Sequence, residues 1–190
     1  MEASVDDFDL VIKLDARQRP CACPLSYARR LYLTYPLCFA DMWQRGLSLY
    51  YLGRFEEGAK QFRDDVAVNP NDTEESIWAL LCEARLVGFD AARRDMLRVG
   101  RDSRPVMRAA YELFRGEGDM AALQAAAQGS PHDLFYSTLY QGLYYEATGD
   151  DGKARDCVLA ATRCDYGAGS GDYMAALARV HALRRGWLAA

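Results

Sequence analysis

The stretch Trp43-Gln44-Arg45-Gly46-Leu47-Ser48-Leu49-Tyr50-Tyr51-Leu52-Gly53-Arg54-Phe55 constrains the fold more than any other part of the chain. It reads as an apolar helix that stops at a glycine. Residues 56–68 read as a second helix, which Asn69-Pro70-Asn71-Asp72 ends. Two helices joined by a tight glycine turn make an antiparallel hairpin. A second stretch of the same kind runs from Phe135 to Asp150 and carries Gly142, Tyr145 and Gly149. Gly-Leu followed by tyrosine appears in both, with the tyrosine offset by one residue. A chain that writes one hairpin twice is built by repetition, and the expected fold class is all-α.

With Pro70 near its end, a repeat of about 34 residues covers 39–72, and its residues resemble the tetratricopeptide (TPR) family. Gly46 and Gly58 then take the small positions of the two helices, Leu49 the large apolar one and Gly53 the turn. Phe55 and Phe62 are the aromatics that fill the space between successive hairpins, and Asp65 stands where the family prefers alanine. In the second repeat, 135–168, Gly142, Tyr145, Gly149, Ala154 and Ala161 take matching positions. Gly46 and Gly142 lie 96 residues apart, whereas three full repeats need about 102. The hairpins between, 74–127, are therefore degenerate: helices are predicted at 74–87, 90–99, 105–114 and 120–127, with N-cap candidates in Asn71-Asp72-Thr73 and Pro105 at a helix start. Residues 172–187 form a terminal capping helix whose apolar face is read as Ala176, Val180, Leu183 and Trp187. The resemblance implies a right-handed superhelix of antiparallel hairpins in one domain spanning 1–190.

The order of elements over about 42–187 is also similar to bacterial TPR lipoproteins that serve as protease adaptors, and to plastid-type TPR proteins of plants and algae. The start lacks a lipobox cysteine, so the lipid anchor is not carried over. Ser4, Phe8, Val11 and Ala16 fit the second helix of a repeat whose first helix is absent, giving a half-repeat at 4–16. Its stripe of Val5, Phe8, Val11 and Ile12 needs a cover. Tyr32, Leu33 and Tyr35 of the atypical insert 17–41, a second copy of the chain, or a partner helix are the three choices, and the tethered segment has the lowest entropic cost.

Composition narrows the function. The 190 residues carry a formal net charge of −4, against general nucleic-acid binding. No apolar run reaches the roughly 18–20 residues of a membrane span. The acidic start does not read as a signal peptide, so a cytoplasmic location is expected as written, and a plastid one if a leader is missing. Six cysteines are present; Cys82 reads as a buried apolar residue, and Cys157 and Cys164, seven apart, are placed on one helix face. Neither a metal site nor a cofactor is expected. His132-Asp133 beside Pro131 reads as capping at a turn, and the glycine-rich 167–172 as a linker with Ser170 or Asp172 as N-cap, since it lacks the lysine of a phosphate loop.

No nucleophile–base pair is visible, so no catalytic residue is named and the chain is read as a non-enzyme that binds another protein. The repeat register puts Trp43, Leu47, Tyr50 and Tyr51, then Tyr136, Leu139 and Leu143, on the groove side of the first helices, where aromatic anchors suit peptide capture. Seven arginines fall within 24 residues (Arg85, Arg93, Arg94, Arg98, Arg101, Arg104, Arg108), and on the predicted 90–99 helix Arg94 and Arg98 share a face that an acidic partner segment would fit. The alternatives are a solvated face with local ion pairs, a structural subunit that docks or self-associates through the half-repeat, and an enzyme subunit with its site in the arginine-rich middle.

Overall fold

The computed structural model describes residues 42–189. The half-repeat, the insert 17–41 and the cover assigned to it lie outside the described residues. Every regular element among them is helical: α1 (Trp43–Tyr51), α2 (Phe55–Val68), α3 (Thr73–Val87), α4 (Phe89–Arg94), α5 (Pro105–Arg115), α6 (Met120–Ala125) with a 3₁₀ turn at Ala126–Gln128, α7 (Pro131–Thr148), α8 (Asp151–Arg163), α9 (Asp165–Gly169) and α10 (Tyr173–Arg184). The chain divides into two compact units. The first runs to Leu86 and takes in Leu97–Gly100; the second holds Val87–Met96 and the chain from Arg101 onward.

In the first unit α1 and α2 form a hairpin closed at Gly53, whose φ is +78°. The Arg54 N–H donates to the Leu49 carbonyl and the Gly53 N–H to that of Tyr50, which is the glycine-terminated helix end that satisfies orphan carbonyls. The helices meet where Gly46 faces Phe62: a Cβ on Gly46 would lie 2.6 Å from the ring's Cζ. Gly58 does the same on α2, where a Cβ would sit 3.0 Å from Cys82 Sγ and 3.4 Å from the Gly46 carbonyl oxygen. Asp65, fully buried, has a job that alanine cannot do. Its Oδ1 accepts the Met42 N–H at 3.2 Å and the Gln61 amide at 2.9 Å, so α2 caps the start of α1. Asp72 caps α3 by accepting from the Glu74 and Glu75 N–H groups. α3 is buried over most of its circumference, with Trp78 edge-on to Tyr50 at 5.2 Å and stacked near Phe62 at 6.4 Å.

The second unit repeats the closure. α7 and α8 turn at Gly149, φ +88°, with Asp150 N–H donating to Tyr145 and Gly149 N–H to Glu146. The same pair of bonds, on Glu112 and Leu113, ends α5 at Gly116. A Cβ on Gly142 would lie 2.7 Å from Val158 Cγ2 and 3.2 Å from the Ala154 carbonyl oxygen. The core combines Phe114, Tyr140 and Tyr144 with Phe89, the rings 5.4–6.5 Å apart. α10 covers α8, where Val158, Leu159 and Ala182 pack with Trp187 and Leu188.

Five expectations change. The helix predicted at 90–99 stops at Arg94, because Ser76 Oγ donates to the Leu97 carbonyl and the Gly100 N–H donates to that of Pro70, drawing 97–100 onto the first unit in place of helical bonds. The second repeat's first helix begins at Pro131, four residues before 135, with Ser130 accepting the Asp133 N–H as N-cap. Residues 167–169 of the expected linker 167–172 belong to the short helix α9; Asp172 does cap α10. Cys164 does not share a helix face with Cys157: it lies past the end of α8, its thiol 3.2 Å from the Ala161 carbonyl oxygen. The capping helix buries Met174, Ala175, Leu177, Ala178, His181 and Ala182, whereas Ala176 and Leu183 of the predicted face are exposed and Val180 and Trp187 half-buried.

Candidate functional site

The arginine-rich middle sorts into two groups. Arg85 lies over the Phe55 ring at 5.4 Å. Arg93 reaches from α4 to the end of α5, donating to the Phe114 and Leu113 carbonyls, and to the Tyr144 hydroxyl at 3.0 Å, while lying 4.6 Å over the Phe89 ring. Arg104 pairs with the buried Asp102 at 2.7 Å, and Arg108 donates to the Asp102 carbonyl. These four side chains hold structure. Arg94, Arg98 and Arg101 are exposed, and among the described residues they have no hydrogen-bond or ion-pair partner. Asp90 and Asp95, exposed as well, do not pair with them. Since α4 ends at Arg94, Arg94 and Arg98 do not share a helix face; Arg98 lies in the irregular stretch beyond.

The aromatic positions are placed differently from a groove lining. Leu47, Tyr50, Tyr51, Tyr136, Leu139 and Leu143 are all buried, none more than 6% exposed, and no open surface exists at them. Tyr50 and Tyr51 pack on Trp78 within the first unit. Tyr136 donates its hydroxyl to Asp172 Oδ2 at 3.0 Å within the second. Trp43, at the start of α1, is half-buried. Register identifies which side chains share a face; it does not report whether that face is covered.

Sequence reading missed two polar clusters. In the first, Glu146 on α7 faces two basic groups of α10 and its C-terminal end: His181 Nε2 lies 2.7 Å from Oε2 as an ion-pair approach, and Arg185 Nε donates to Oε1 at 2.6 Å. Burial opposes ionisation of Glu146, yet the bond and charge of His181 and then those of Arg185 outweigh it and hold the carboxyl at about 2. The available signal was a second apolar stripe on α10, Met174, Leu177, Ala178 and Ala182, with His181 in its middle. In the second cluster, Asp172 accepts the hydroxyls of Tyr136 and Tyr166, while His132 stacks on Tyr136 at 4.5 Å and bonds Asp133 at 3.0 Å. The hydrogen bond to Asp172, with burial, raises the Tyr166 phenol above its ordinary range. Nothing in sequence links residues 132, 136, 166 and 172 beyond the capping pattern at each helix start.

Both clusters are closed on themselves: Glu146 and Asp172 meet side chains of neighbouring helices, and Asp133 meets His132 beside it on α7. Among the described residues, no group of three or more His, Cys, Asp or Glu is placed to hold a metal ion, and no helix is long and apolar enough to cross a membrane. An open cleft of about 290 Å³ lies between the start of α7 and Cys164–Asp165, with Ser130, Pro131 and Leu134 in its wall. No family model matches the chain, and no curated protein or solved structure matches it.

Proposed function

We propose that this chain is a protein-binding scaffold with the plan of a TPR array, its hairpins continuing as a right-handed superhelix capped by α10. The observation that carries the reading is the twofold use of one hairpin design: Gly46 against Phe62 with closure at Gly53, and Gly142 against Val158 with closure at Gly149. Such hairpins are rigid presenting surfaces, a property that suits binding more than chemistry. The contact is assigned to exposed guanidiniums, Arg94 in the second unit and Arg98 in the first, each taken by itself, because the apolar positions of the expected groove are buried and neither cation has an acid partner among the described residues. A planar fork of donors meets a carboxylate in a bidentate way, so the partner segment is acidic.

Capture from lysate followed by mass spectrometry tests it. A partner retained by the wild-type chain should be lost by Arg94→Glu/Arg98→Glu at an unchanged melting temperature, and should be released progressively as salt is raised. Retention of the same partner by the double variant, insensitive to salt, would remove the arginines from the binding site.

A further inference from the structure

We draw no further inference here: the strongest candidate, the open cleft between the start of α7 and Cys164–Asp165, has a single thiol at its edge already tied to the Ala161 carbonyl and the Gly167 N–H, and nothing in the structure shows what fills it.

Discussion

At the residue scale, the hairpins depend on the absence of single atoms. Gly46 has room for a hydrogen and nothing more, since a Cβ would approach three atoms of the Phe62 ring at 2.6–2.9 Å. Phe62 is itself 1% exposed and stacked near Trp78, so the ring has no free direction in which to move. Gly46→Leu is expected to cost about 3 kcal/mol through overpacking. Gly171→Ala is the control, because a Cβ there meets nothing within 4 Å. Chemical denaturation compares them, and equal midpoints would refute the contact. Glu146 makes the opposite kind of contribution. Its folded carboxyl is held at about 2 against an ordinary 4.5, so it stabilises the fold above about pH 4.5 and loses that contribution as pH falls through about 2. The difference corresponds to about 3 kcal/mol. Glu146→Gln should therefore be less stable than wild type at pH 7, with the gap closing between pH 5 and 2. Urea midpoints at several pH values decide it, and a gap of constant size would show that the carboxylate's charge is not the cause.

At the element scale, helix starts are set by side-chain caps of unequal reach. Asp150 accepts the Lys153 N–H and otherwise faces solvent and the Lys153 ammonium. Asp172 accepts the Met174 N–H and also ties down two phenols, from α7 and α9. Asp172→Ala should cost at least about 2 kcal/mol, a cap plus two charge-assisted bonds, and more than Asp150→Ala. It should also let the Tyr166 phenol ionise at lower pH, readable by NMR of labelled tyrosine; the reverse order of stabilities would sink the assignment. Element positions were largely legible in sequence. Gly53, Pro70, Gly88, Pro105, Gly116 and Gly149 punctuate the chain, and local stop signals act without regard to the rest of the fold. What failed was non-local. The helix through 95–99 lost to hydrogen bonds from Ser76 and to Pro70, more than twenty residues away in sequence. The α10 face was misread because two apolar stripes overlap on one short helix, and the buried one contains a histidine whose partner, Glu146, is 35 residues earlier.

At the scale of the whole molecule, the candidate site was less legible than the fold, for a related reason. The tyrosines and leucines chosen as groove positions do line the inner sides of their helices, but burial depends on what else packs there, and that is a tertiary fact. The division into two units makes a further claim about cooperativity. Each unit has its own aromatic core, Tyr50, Phe62 and Trp78 in one and Phe114, Tyr140 and Tyr144 in the other. The chain enters the first unit a second time only at Leu97–Gly100. Repeat arrays distribute stability among neighbouring units rather than placing it in one block. Gly46→Leu should accordingly speed amide exchange in α1–α3 and at Gly100, whose N–H is bonded to the Pro70 carbonyl, while the amides of α7 and α8 keep their protection. Gly142→Leu, which drives a side chain into Val158, should do the converse and leave α1–α3 protected. Gly100 is the informative reporter, because a purely local view of sequence would group it with Arg101 and Asp102, whereas the fold assigns it to the first unit and them to the second. If either variant accelerates exchange equally along the whole described chain, the two units unfold as one cooperative block and the repeat-like account of stability fails.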